Sequence, residues 1–194
     1  KTAAEWLADL NAQYGMDKGI IGGFFTWLKS AIVGDFGTSW VHNVPPTEKF
    51  AEVIWVSFIL GAASMFFEII IAIPLGILAA RKQYSGIDYF VTVLAMICIS
   101  LPSFFLATVL KLVFGVYLEW FEIAGLTSAR FYDTLSGFGK AMNIAWHLVL
   151  PTITIVVVSI GGLMRYTRTN MLEVLNSDYI RTARAKGLSE KKVI

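Results

Sequence analysis

Apolar residues run along this chain in blocks too long and unbroken for the faces of a water-soluble core. Positions 53–80 carry one charge, Glu68; positions 89–118 carry one, Lys111; a third block, 146–168, closes on Arg165 and Arg168. About 20 helical residues cross the hydrocarbon of a bilayer, so each block predicts a transmembrane helix. The second is too long for one perpendicular crossing. Pro74, with Gly76 two residues on, and Pro102, inside Ser100-Leu101-Pro102-Ser103, predict kinks, with serine hydroxyls able to bond the carbonyls a proline releases. Counted along a straight helix from Tyr89, Lys111 falls about 33 Å away, where its ammonium reaches the outer headgroups.

Between these blocks the pattern changes. Residues 1–52 show short helical periodicities over 3–14, with Trp6, Leu7 and Leu10 on one face, and over 19–33; neither is long enough to span a bilayer. Gly15 suits the end of the first, and Gly34-Asp35-Phe36-Gly37-Thr38-Ser39 is turn chemistry. Residues 81–88 and 119–145 read as loops. Residues 169–194 are polar and basic: Asn176, Ser177 and Asp178 offer helix caps, Gly187 a left-handed helix end with Leu188 packing back on Ala183, and Ser189 a cap for a second short helix. On these residues alone the segment is a docking element or a basic helix lying on anionic lipid.

Composition supports the membrane assignment. Hydrophobic residues make up 56% and charged residues 15% of the 194, against about a quarter charged in a soluble domain. The expected fold class is therefore all-α, a polytopic helical membrane protein. The charge distribution orients it. Residues 165–194 hold seven cations (Arg165, Arg168, Arg181, Arg184, Lys186, Lys191, Lys192) against three acids (Glu173, Asp178, Glu190), whereas residues 1–52 hold four (Lys1, Lys18, Lys29, Lys49) against six (Glu5, Asp9, Asp17, Asp35, Glu48, Glu52). By the positive-inside rule, 1–52 and 119–145 are extracytoplasmic, and 81–88 and 169–194 are cytoplasmic.

Candidate chemistry is sparse. Cys98 is the one cysteine and His42 and His147 the only histidines, too few for a metal site, and no cofactor is expected. His147 reads as an interface hydrogen-bonder. Residues 137–140, GFGK, do not make a phosphate loop, since the first glycine is misplaced and Ala141 stands where Ser or Thr is required. Glu68 lies roughly 18 Å from the Arg81 end, near the bilayer centre. A carboxylate facing lipid there is costly, so Glu68 lines a pathway or is a hydrogen-bonding group between helices. The Pro102-Ser103 kink could line a cavity with it. A secondary transporter or channel needs more intramembrane ionisable groups than Glu68 and Lys111, or a carbonyl filter. No HExxH, paired carboxylates or Ser-His arrangement suggests a membrane enzyme.

One stretch carries a resemblance. YIRTARAKGL, residues 179–188, is similar to the cytoplasmic coupling loop of the permease subunits of oligopeptide and dipeptide ABC importers. The general pattern there is Glu-Ala-Ala, three residues, Gly. With Gly187 at the glycine, Arg181, Thr182 and Ala183 stand at the first three positions, while the peptide branch itself reads Arg-Thr-Ala-Arg-Ala-Lys-Gly-Leu, as residues 181–188 do. GDFGTS at 34–39, IPLGILAA at 73–80 and RYTRTNMLEVL at 165–175 also resemble that family.

The resemblance implies a type I ABC importer permease fold with about six transmembrane helices, of which three are present here. One would precede Lys1 and two follow Ile194. It implies that Tyr179, Arg181, Thr182, Ala183, Arg184, Ala185, Gly187 and Leu188 dock an ATPase; Glu68, from its depth in the first apolar run, and Pro102 and Ser103, from the kink in the second, are the candidates for the translocation path. Implied partners are a second permease subunit, two cytoplasmic ATP-binding subunits and an extracytoplasmic substrate-binding protein, all at a bacterial cytoplasmic membrane. Peptide is the implied substrate, and no nucleic acid is expected. Hydrolysis would occur on the partner subunits, so the chain is no enzyme itself. Related branches carry nickel, glutathione or antimicrobial peptides.

Overall fold

The computed structural model describes residues 2–39 and 41–193. Lys1 and Ile194, the outer ends of the segments assigned above, lie outside the described residues. The chain divides into two compact units, residues 2–58 and 59–193. Helices and turns make up both, with no strand among the described residues. The expected all-α fold is the one observed.

In the first unit, α1 (Ala3–Tyr14) opens with Thr2 and Glu5 in a reciprocal capping box and stops at Gly15, left-handed at φ 63°. A 3-10 turn, Met16–Lys18, leads into α2 (Gly19–Ile32). Gly15 is required twice over, because a Cβ there would also lie 2.9 Å from Thr26. The Gly34–Ser39 hexapeptide is held by an Asx bond, with the Gly37 N–H donating to Asp35 Oδ1 at 2.9 Å.

Helix α3 (Pro46–Arg81) runs through Pro74 without interruption and starts seven residues before the expected position 53. Its residues from 59 onward belong to the second unit. The α3 residues that become buried are Ser64, Ala72, Gly76, Ala79 and Ala80. All are small, so the helix contributes backbone proximity rather than side-chain bulk, as expected where hydrocarbon offers no hydrophobic drive for helices to associate. The core of the second unit joins Ala72 and Ala79 to Val91, Ala95 and Cys98 of α4 (Gly86–Ser100) and to Val156, Ile160 and Met164 of α6 (Gly137–Leu175). Two glycines set the crossings. A Cβ on Gly76 would lie 2.7 Å from Thr167 Cβ and 2.8 Å from the Met164 carbonyl; one on Gly161 would lie 2.4 Å from the Ala95 carbonyl.

The second apolar block differs most from expectation. It forms α4 and, after Leu101 and Pro102, α5 (Ser103–Leu110) with a π-helical continuation, Lys111–Tyr117, and the two halves meet at 94°. A lone proline kink leaves a helix running on. Here both Leu101 (ψ 121°) and Pro102 (ψ 131°) are extended, because the proline ring also bars its predecessor from helical geometry. The straight-helix reckoning that placed Lys111 about 33 Å from Tyr89 therefore does not hold. Ser100 Oγ donates to the Met96 carbonyl at 2.8 Å, one helical turn back, and not to the Cys98 carbonyl that Pro102 leaves without an N–H. The third block also extends beyond 146–168, to the whole of α6.

Candidate functional site

The coupling segment folds as helix, bend, helix. Helix α7 (Asp178–Ala185) ends at Lys186, Gly187 takes φ 75°, and α8 is the single turn Glu190–Val193. The Leu188 N–H donates to the Ala183 carbonyl at 3.3 Å and the Gly187 N–H to the Arg184 carbonyl at 2.9 Å. Those two bonds are the paired closure of a Schellman ending. Nothing lies within 4 Å of a Cβ built on Gly187, so its requirement for glycine comes from the backbone angle alone.

One local expectation is corrected. Ser177 occupies the N-cap of α7 but makes no capping bond. Its hydroxyl donates instead to the Val174 carbonyl at 2.6 Å, while the Asn176 amide donates to the Leu172 carbonyl, so both side chains finish α6 rather than start α7. The Arg184 guanidinium spans the bend to Glu190, at 2.9 and 3.4 Å. Arg181 lies 3.7 Å from Asp178. Of the eight residues singled out here, Ala183 is half-buried and the other seven are exposed; the buried member of α7 is Ile180, which the sequence reading passed over.

A second arrangement was missed entirely. Arg168, at the end of the third apolar block, donates Nε–H to Asp88 Oδ1 at 2.6 Å and Nη2–H to Asp88 Oδ2 at 2.8 Å. Asp88 is 3% exposed and also accepts the Tyr84 N–H at 2.9 Å, which holds Tyr84 at φ 63° in the α3–α4 turn. The Ser85 hydroxyl accepts the Asp88 N–H in return. One signal was available: Ser85 followed three residues later by Asp88 is a capping pair, and such an acid at a membrane boundary needs a cation. The pair joins α4 to the stretch of α6 that leads into α7.

The path candidates are not brought together. Glu68 is half-exposed and makes no hydrogen bond or ion pair among the described residues. The buried Ser64 hydroxyl, one turn earlier, is also unpartnered. Pro102 and Ser103 are exposed at the 94° corner. Ser103 lines a pocket of about 460 Å³ with Lys111, Glu122 and His147, and neither Glu68 nor Pro102 is among its lining residues.

Residues 121–125 of a hydrogen-bonded loop form one wall of that pocket. Glu122 accepts from the Ser128 hydroxyl, and Asn143 donates to Ser128 Oγ at 2.8 Å while accepting the Ser128 N–H at 3.0 Å. The Trp146 ring stacks on Phe121 with centroids 4.6 Å apart. The Ser128 hydroxyl, then His147 and Arg130, hold the Glu122 carboxyl below its ordinary range. His147 was expected as an interface hydrogen-bonder; it is buried, with Nδ1 2.8 Å from the Asn143 carbonyl.

Comparison with known proteins then assigns the fold and the bend to a family. Residues 72–194 match the family described as binding-protein-dependent transport system inner membrane component. The chain belongs to that family. It is 37% identical over 183 residues to the oligopeptide transport system permease protein AppB of Bacillus subtilis, a match covering 94% of this chain and 56% of the relative. It is 34% identical over 191 residues to the oligopeptide permease OppB of Escherichia coli K12, covering 98% and 58%. The dipeptide permease DppB of the same strain is 32% identical over 202 residues, covering 96% and 60%. The chain thus spans somewhat more than half the length of these relatives. Family membership makes it an inner-membrane transport component, in keeping with two helices, α3 and α6, long and apolar enough to cross a membrane, or three if the bent pair is one span.

Proposed function

We propose that this chain is part of the permease subunit of an ATP-driven importer, that its substrate is a peptide, and that α7, the Gly187 bend and α8 receive a cytoplasmic ATPase. The observation that carries the reading is the conjunction of a family match through residue 194 with an exposed, hydrogen-bonded bend just past the end of a helix that also builds the core of the second unit. The eight residues Tyr179, Arg181, Thr182, Ala183, Arg184, Ala185, Gly187 and Leu188 are the docking surface in this reading. Ile180 anchors it, Arg184–Glu190 fixes the angle across the bend, and Asp88–Arg168 ties α6 to α4, so that force applied at α7 moves packed helices rather than a loose tail. The partners would be a second permease, two ATP-binding subunits and an external binding protein, with alternation between inward and outward access by rigid-body movement. Glu68, Pro102 and Ser103 are proposed for the path. Peptide is favoured over nickel or glutathione because the compared relatives are named as oligopeptide and dipeptide permeases.

The test is reconstitution of the full-length permease with its partner subunits in proteoliposomes. Labelled di- and oligopeptides should accumulate only with ATP and the binding protein. Accumulation of nickel or glutathione instead would redirect the substrate assignment, and failure of any ATPase to co-purify would overturn the coupling assignment.

A further inference from the structure

Helix α2 is built inside out. At about 3.6 residues per turn, Ile20, Ile21, Phe24, Phe25, Trp27 and Ile32 fall within one arc of about 160°, and Gly22, Gly23, Thr26 and Ser30 take the opposite side. An amphipathic helix of a water-soluble unit turns its apolar arc inward. Here the arc faces out: those six side chains are 44–94% exposed, and no residue of α2 is buried. The contact with the preceding turn is made by the small, polar side instead. Thr26 packs on Gly15, where a Cβ would lie 2.9 Å away, and its hydroxyl donates to the Gly22 carbonyl at 2.9 Å.

Length, charge and tether identify what covers the arc. Fourteen residues rise about 21 Å, short of the roughly 30 Å of hydrocarbon, so α2 does not cross a bilayer. Between Asp17 and Asp35 the only charged residues are Lys18 and Lys29. Both lie along one edge of the arc: Lys29 follows Gly22 by two turns, and the Lys18 Cβ lies 2.5 Å from a Cβ built on Gly22. Cations along the edge of an apolar, aromatic face, with no acid among them, match phosphates above hydrocarbon rather than a protein groove. The rings of Phe25 and Trp27 lie 5.6 and 6.1 Å from that of Phe24, a cluster suited to the headgroup boundary. Helix α3, long and apolar enough to cross a membrane, begins at Pro46, so the link 33–45 keeps α2 beside the bilayer.

We propose that α2 lies flat in the membrane interface, in the leaflet where α3 begins, with its apolar arc sunk to the acyl boundary and Lys18 and Lys29 reaching phospholipid phosphates. The second helix of the N-terminal region is then a membrane anchor beside the entry of α3, not part of a freely solvated domain. The proposal stands whatever the transporter carries.

The test places an environment-sensitive fluorophore on Ile20→Cys, Ile32→Cys or Ser30→Cys, each in a Cys98→Ala background of the full-length permease in nanodiscs of phosphatidylglycerol and phosphatidylcholine. Nitroxide lipids then quench by depth. Emission at positions 20 and 32 should shift to the blue of that at position 30, and should be lost to a nitroxide near the headgroup more than to one near the chain end. The loss should be alike at positions 20 and 32, which stand about 18 Å apart along the axis, as a helix lying flat requires. Position 30 should keep its emission with either lipid. Quenching of positions 20 and 32 by aqueous iodide and by neither lipid would overturn the proposal and put the arc in water. Protection from lipid and iodide alike would overturn it in favour of a protein cover. Stronger quenching from the chain end, at either position, would overturn it in favour of a helix that dives into the hydrocarbon. The unmodified permease gives a second reading: a phospholipid with a diazirine near its headgroup should cross-link to residues 20–32, and absence of cross-links there would also overturn the proposal.

Discussion

Arg168 meets Asp88 as a two-pronged ion pair, 2.6 and 2.8 Å, between residues 80 apart in sequence. Removing Arg168 leaves the Asp88 carboxylate buried and unpaired, at a cost of about 3–5 kcal/mol, whereas Arg168 keeps about a quarter of its side chain exposed. Arg168→Met should therefore lower the thermal midpoint of the full-length protein sharply, and Asp88→Asn less. Arg168→Lys should recover little, because an ammonium cannot reproduce the fork. A double Asp88→Leu, Arg168→Met variant should lose less than either charge removal alone. Additive losses, measured by thermal unfolding in one detergent, would contradict the pairing.

Gly161 and Gly162 are adjacent but predict opposite outcomes. A Cβ at Gly161 meets the Ala95 carbonyl at 2.4 Å, whereas one at Gly162 meets nothing within 4 Å. Gly161→Ala should destabilise the α4–α6 crossing by about 1–3 kcal/mol. Gly162→Ala should be neutral or slightly stabilising, since alanine is the better helix former. Thermal midpoints of the two variants check this directly.

Glu122 gives a pH dependence. Its carboxyl titrates below the ordinary 4.5 chiefly because the Ser128 hydroxyl bonds the ionised form. The unfolded loop then binds more protons than the folded one, so its stability rises with pH, is fully present above that ordinary value and is lost as pH falls through the depressed folded one. Trp120 and Trp146 flank the loop, with Trp146 Nε1–H donating to the Trp120 carbonyl. Tryptophan fluorescence should report loosening in acid, and Glu122→Gln should remove that acid transition.

Topology follows from the charge count. In a full-length Cys98→Ala background, Ser39→Cys should react with an impermeant thiol reagent on intact spheroplasts and Ser189→Cys should not. The parent Cys98 is 5% exposed, so the background substitution removes little reactivity. Labelling of the inner site alone would reverse the orientation.

What was legible in the sequence was what local chemistry decides. Gly15 and Gly187 announce left-handed helix ends because few other residues tolerate them, and uninterrupted apolar runs announce α3 and α6 because hydrocarbon leaves the backbone little choice. The 94° corner was legible only as a kink, since Pro102 marks a break but its angle depends on how α5 packs against α6. Pairings over long separations were not legible. Asp88 with Arg168 and Glu122 with His147 depend on which helices meet, and the residues that decide this, Gly76 and Gly161, are silent in any hydropathy pattern. Ser177 was misassigned because a hydroxyl between two helices can serve either one, and here it bonds backward to Val174.

The central claim, that the bend after α7 transmits between an ATPase and the membrane helices, is tested most directly at Gly187. Its φ of 75° strains any residue with a Cβ by about 1–2 kcal/mol, more if the side chain is branched, and no neighbour adds to that cost. The measurement is substrate-stimulated ATP hydrolysis by the complete reconstituted transporter carrying Gly187→Val or Gly187→Asn, with permease abundance quantified in the same vesicles. The account predicts near-normal abundance for both, loss of stimulation in the valine variant, and a smaller loss in the asparagine variant, which tolerates the left-handed region better. Full stimulation with valine at this position would contradict it.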